Sequence, residues 1–192
     1  TNSEVEQLEP CPAYVEVALS SVDEICSTTG RNEVCYGNID LSAQFQDGVQ
    51  TVQFESPGDI TAFSNLRTMQ LSPLDTDAGI WGIAVMRLQA GLPDTLPGEN
   101  VLFLLFGDVT IDNIGEEDGV QSFYFRSGIG DAACRDAPDS GLLVQTPSGV
   151  GSLDLRINNV NIALGSTAYL QAEQDNRMIV SVIEGQAAVE SD

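Results

Sequence analysis

From residue 39 to residue 190 the chain is a succession of short runs rich in Val, Ile, Leu, Phe and Thr, each stopped by Gly, Pro, Asp or Asn. Runs this short carry no helical stripe, and their alternation sends every second side chain to one face, so the chain is committed to packed β-sheets. Strands are expected near 39–46, 50–55, 67–71, 80–89, 101–111, 120–126, 142–146, 152–157, 160–164, 167–173, 177–183 and 186–190. One stretch departs from this pattern. Pro12 suits a first helical turn, and Tyr14, Val15, Ala18, Leu19, Val22, Ile25 and Cys26 recur at spacings of three and four, which predicts one amphipathic helix ending before Gly30. A helical turn is also expected between Asp59 and Leu66, where Ile60, Phe63 and Leu66 share one spacing. The fold class that follows is mainly β: β-sandwich-like with one N-terminal amphipathic α-helix.

The run Val101-Leu-Phe-Leu-Leu-Phe106 is apolar on both faces, so it is expected at the centre of a sandwich or beneath the helix or a partner chain. Gly91–Gly98, with two prolines and two glycines, reads as a rigid surface loop. Between Asp131 and Gly141 the strand pattern is interrupted by Cys134, Pro138 and several acids. This suggests an N-terminal lobe, 1–133, holding the helix and a sandwich, and a β lobe, 134–192, packed on it, or else one continuous domain. A second lobe of this size is marginal by itself.

The four cysteines, Cys11, Cys26, Cys35 and Cys134, include no C-x-x-C pair, and the chain has no histidine to complete a zinc site. Disulfides are the better reading. If the chain from Cys11 to Cys26 is one helix, its ends lie about 22 Å apart, beyond disulfide reach. Two pairings remain: Cys26 to Cys35 with Cys11 to Cys134, or Cys11 to Cys35 with Cys26 to Cys134. The first is favoured because it closes a short loop, and its long bridge would clamp the helix to the β region. Disulfides belong to an oxidising compartment, and a chain that starts at Thr1 is expected of a mature secreted protein, so the location expected is extracellular or cell-surface.

Charge narrows the function. Of 192 residues 29 are acidic and seven basic, a net charge of −22, and all seven cations are arginines. Without histidine or lysine the Ser-His-Asp and Cys-His nucleophile systems, the Walker A loop and Schiff-base lysines are excluded. So negative a protein repels phosphate backbones and anionic lipid. No apolar run reaches the ~18 residues of a membrane helix, so neither nucleic acid nor membrane insertion is expected. Charged residues are only 19% against 42% hydrophobic, so the acidity reflects missing cations in a globular chain.

Hard cations seek clustered carboxylates, which makes calcium the candidate cofactor. Three clusters offer ligands: Asp75 with Asp77; Asp108, Asp112, Glu116, Glu117 and Asp118; and Asp131, Asp136 and Asp139. The second is the best candidate, and none follows the EF-hand order. Asp139-Ser140-Gly141 matches the short aspartic-protease signature, but Asx-turn chemistry explains a single copy between strands. Gly128-x-Gly130-x-x-Ala133 is a partial dinucleotide fingerprint without a following βαβ unit. An acid-pair glycoside hydrolase needs only two carboxylates across a cleft, yet such clefts present aromatic platforms and this chain has a single Trp81 and 6% aromatics.

The pieces Leu-Gly-Ser-Thr-x-x-Leu (Leu164 to Leu170) and Val-Ile-Glu-Gly-x-x-x-Val (Val182 to Val189) resemble the repetitive β region of FecR-type extracytoplasmic domains, over about a quarter of the chain. The resemblance implies an extracytoplasmic β region and no iron signalling. Cys11-Pro-x-x-Val15, Gly30-Arg-Asn-x-x-Cys-Tyr-Gly-Asn38 and Leu92-Pro-x-x-Leu-Pro-Gly-x-Asn-Val101 are similar to segments of uncharacterised secreted bacterial proteins, which implies location and no activity.

The function expected is therefore non-enzymatic: a secreted structural or interaction protein that self-assembles by β-strand addition into a surface layer or extracellular filament, a homo-oligomer or polymer assisted by calcium bridging its acidic loops. Edges such as Thr51–Glu55 and Ala187–Val189 carry few charges and no lysine to blunt them. The first nine residues and the Gly185–Asp192 tail are the candidate donors. The alternative is a monomeric module recognising a glycan or peptide, and the third is the acid-pair glycoside hydrolase.

Overall fold

A computed structural model describes residues 9–50, 52–89, 100–117, 120–128, 133–149, 151–173 and 177–191. Helix α1 spans Ala13–Ile25 with Pro12 at its N-cap. The strands are β1 (Glu33–Asn38), β2 (Leu41–Phe45), β3 (Ile60–Ala62), β4 (Leu66–Leu71), β5 (Ile83–Gln89), β6 (Asn100–Phe106), β7 (Val109–Glu117), β8 (Val120–Ser127), β9 (Gly141–Gln145), β10 (Leu153–Ile157), β11 (Val160–Ala172) and β12 (Met178–Ser191). The protein is mainly β with one helix.

The strands pair into one sheet in the order β2-β4-β7-β8-β10-β11-β9-β6-β5-β1-β3, with β12 on the other edge of β11. The long strand β11 is where the sheet turns back on itself. Its first half, Val160–Leu164, pairs with β10, and Thr167–Leu170 pairs with β9. Because β12 occupies the opposite edge throughout, β9 and β10 share one edge of β11. The sheet thus divides into a first half-sheet, β2-β4-β7-β8-β10, and a second, β9-β6-β5-β1-β3. Buried side chains from both form one apolar core, in which Phe123 of β8 meets Phe103 of β6 edge-on at 5.7 Å between ring centroids. The core also runs across position 134, since Leu142, Val144, Ile162 and Leu164 belong to it with Met69 and Phe103.

A second apolar cluster lies behind the second half-sheet. Val15, Ala18 and Val22 of α1 pack with Trp81, Ile83, Val85 and Phe106. The apolar run 101–106 is therefore covered on both faces, by the facing half-sheet and by the helix side. Disulfides Cys11–Cys134 and Cys26–Cys35 pin the two ends of α1, the second to β1.

Several strands differ from the sequence expectation. The run 101–111 is two strands, because Gly107, with φ of +79°, turns the chain from one half-sheet to the other. At this corner the Gly107 N–H donates to the Gly82 carbonyl at 3.0 Å and the Asp108 N–H donates to Ser140 Oγ at 2.8 Å. The runs 160–164 and 167–173 are one strand, as are 177–183 and 186–190, and Gly185, with φ of +80°, lets β12 follow the irregularity of β11 beside Ser166. Strand β1 arises from Gly30–Asn38, where no strand was expected; residues 52–55 carry none; and 59–66 holds β3 and a 3-10 turn, Phe63–Asn65. The loop expected at 91–98 lies outside the described residues.

Where β10 meets β8 the backbone register is confined to Ile157 opposite Phe123. The Asn158 side chain extends the ladder: its Oδ1 accepts from the Phe125 N–H at 2.6 Å and its Nδ2 donates to the Phe125 carbonyl at 2.8 Å. Tyr169 works similarly on β11, stacking on Phe106 with centroids 6.0 Å apart while its hydroxyl donates to the Asp139 carbonyl. Burial, with the Asp139 carboxylate nearby, holds its phenol far above the ordinary 10.0.

Three outcomes follow from these contacts. In urea denaturation C11A/C134A should lose about 5 kcal/mol and C26A/C35A about 3, because the longer bridge removes more loop freedom from the unfolded chain. Asn158→Ala should cost about 1–3 kcal/mol by leaving the buried Phe125 amide without its partner. Since folding raises the Tyr169 pKa, the stability this residue lends is whole below pH ~10 and lost as the pH rises above it. Tyr169→Phe should flatten the alkaline fall in stability.

Candidate interface

The acidic cluster at 108–118 does not form a loop; Val109–Glu117 is strand β7. Asp112 faces outward from it with its carboxylate already engaged: Thr68 Oγ1 donates to Oδ1 at 2.9 Å and Arg126 Nη2 donates to Oδ2 at 2.9 Å. Asp108 sits at the corner before the strand, where its carboxylate lies against Gly128. Glu116 and Glu117 follow on β7, and Asp118 lies outside the described residues. Among the described residues no group of three or more His, Cys, Asp or Glu side chains comes together to hold a metal ion.

Asp75 Oδ1 accepts the N–H groups of Asp77 and Ala78 at 3.0 and 2.8 Å, an Asx turn. The Asp136 N–H points at Cys11 Sγ. In Asp139-Ser140-Gly141 the Asp139 carbonyl receives the Tyr169 hydroxyl and the Ser140 hydroxyl holds the β6–β7 corner, which gives the motif structural work. Asp131 and Gly130 fall outside the described residues. Trp81 is buried against Phe106 beneath the helix and offers no platform.

Two surfaces stay open. Among the described residues the outer face of the first half-sheet is uncovered and polar, with Ser42, Gln44, Gln70, Tyr124 and Arg126 exposed. Tyr124 is held there by Asn159, whose Nδ2 donates to its hydroxyl at 2.9 Å. A shallow groove beside α1 is lined by Pro12, Val15 and Leu19 with the exposed carboxylates Glu16 and Asp136.

The third surface is of another kind. Strand β12 pairs along its whole length with β11, and among the described residues no strand pairs with its other edge. From Met178 to Glu190 not one residue is buried. Ile179 is 45%, Val182 46%, Ile183 63% and Val189 51% exposed. The cause is topological: β9 and β10 carry the two half-sheets on the inner edge of β11, so a strand on the outer edge lies beyond the core. Only Met178, Val180 and Ala187 reach partway in. The sequence showed two apolar runs here, but apolar composition alone would have sent them inward; their exposure depends on which strands compete for β11.

Among the described residues no helix is long and apolar enough to cross a membrane. No family model matches the chain, and no curated protein and no solved structure matches it either.

Proposed function

We propose that this is a secreted, non-enzymatic protein whose copies associate by β-strand addition. One observation carries the reading: β12 is fourteen residues long, unpaired on one edge among the described residues and apolar in the open. Unpaired backbone N–H and C=O groups template another strand, and proteins that stay single shorten, charge or cover such edges. The edges at the ends of the sheet, β2 and β3, have five and three residues. Among the described residues β12 is neither short nor covered, and from Met178 to Val189 its one charge is Glu184. Both disulfides support an oxidising compartment.

The principal opposing force is electrostatic, since copies at −22 repel one another. Salt screens that repulsion, with a Debye length of about 10 Å at 0.1 M. Association should therefore strengthen with ionic strength. Calcium bridging between acidic surfaces would strengthen it further, and more than monovalent salt of equal ionic strength.

The uncovered polar face around Tyr124 supports a second reading, a monomeric module for a neutral glycan. Light scattering and negative-stain microscopy across protein concentration and salt, with calcium and with chelator, separate the two. Assembly predicts particles heavier than 20.4 kDa that I179K/V182K returns to 20.4 kDa with its circular dichroism unchanged. A wild-type mass of 20.4 kDa under every condition overturns assembly and favours the glycan module.

A further inference from the structure

We infer that the occupant of the β12 edge is β12 of a second copy, paired antiparallel about a two-fold axis, so that association through this edge closes at a dimer. This rests on the self-association reading and adds a partner strand and a symmetry to it.

The occupant follows from matching the edge to what can satisfy it. A fourteen-residue edge needs a comparably long strand with free backbone groups on one side. The five-residue β2 and three-residue β3 cannot supply one. β12 itself can. Its charge fits the same partner: on a molecule with 29 acids, this is a strip where two identical surfaces meet with one carboxylate each between Met178 and Val189. Apolar side chains project on both faces of the strand, because Ile179 pairs across β11 with Gln171 and Val182 with Ala168, neighbours on opposite faces. A second β12 would cover the flanks of both.

The area is sufficient. Fourteen residues of strand extend about 48 Å and a sheet is about 10 Å thick, so full overlap covers about 1,000 Å2 over both copies, the lower bound of a specific interface.

Symmetry then sets the size. Antiparallel edge pairing of identical strands places a two-fold axis perpendicular to the sheet, which keeps each face on its own side and sets the residue on the axis opposite its own copy. Such a contact uses the same patch on both partners and leaves no β12 edge free. The like charges of Glu184 disfavour the register that puts this residue on the axis. A layer or filament would need a second, different contact.

Among the described residues there are no free cysteines, so single cysteines introduced at the exposed positions Ile179, Ser181, Ile183, Gln186 and Ala188 report contacts without background. The test joins mild oxidation of these five variants with light scattering of the unmodified protein over a wide concentration range. The expected result is a mass that stops at twice 20.4 kDa and covalent dimer concentrated at one position and its nearest tested neighbours. Mass that keeps growing with concentration, or a dimer that no β12 position cross-links, overturns the two-fold pairing and leaves self-association standing. A mass of 20.4 kDa throughout overturns both.

Discussion

The structure depends on one strand making two sets of bonds along the same edge. β11 offers its inner edge first to β10 and then to β9, and between these segments lie Gly165 and Ser166, the latter with φ of 139°. Without that interruption a thirteen-residue strand would take one neighbour and extend a flat sheet. With it, the neighbours diverge, the half-sheets face each other, and Phe103 comes against Phe123. Asn158 and Tyr169 are braces at either side of the split. One completes the ladder where β10 barely reaches β8, and the other ties β11 to the segment before β9.

Much of this was legible because strand formation and burial leave local marks. The helix register was written in the spacing of Val15, Ala18 and Val22, all three of which are buried. The doubly apolar run 101–106 had to be covered twice, and it is. What sequence could not supply was the path between elements. Gly107 and Gly185 are both glycines in apolar surroundings, yet one ends a strand and the other bends within one. The difference lies in partners: at Gly107 the backbone leaves for Gly82 and Ser140, whereas at Gly185 β11 keeps the strand paired. β1 escaped notice because Gly37 and two asparagines flank its apolar centre, and its burial comes from the neighbouring strands and α1.

The acidic cluster gives the opposite lesson. Carboxylates close in sequence suggest a shared ion only when the backbone turns them together. On β7 the chain is extended and advances about 3.4 Å per residue. Asp112 found its cation in Arg126, two registers away on β8. The pair is half-exposed, so its contribution to stability is small, about 0–1 kcal/mol. Its consequence is to occupy the carboxylate.

The same topology that builds the core creates its exception. Each strand on the inner edge of β11 adds buried surface, and the strand on the outer edge adds almost none, although it carries isoleucines and valines. Backbone pairing with β11 holds β12 in place, but among the described residues pairing on one edge satisfies only half of its amides and carbonyls, and the rest face water. Apolar side chains beside those groups gain nothing from that water. A polar sequence would have made an equally good hairpin partner for β11 and a more soluble molecule. The retention of Ile179, Val182, Ile183 and Val189 on an otherwise strongly charged protein is therefore a cost to the single molecule. A contact that removes those side chains from water offsets it while pairing the remaining backbone groups.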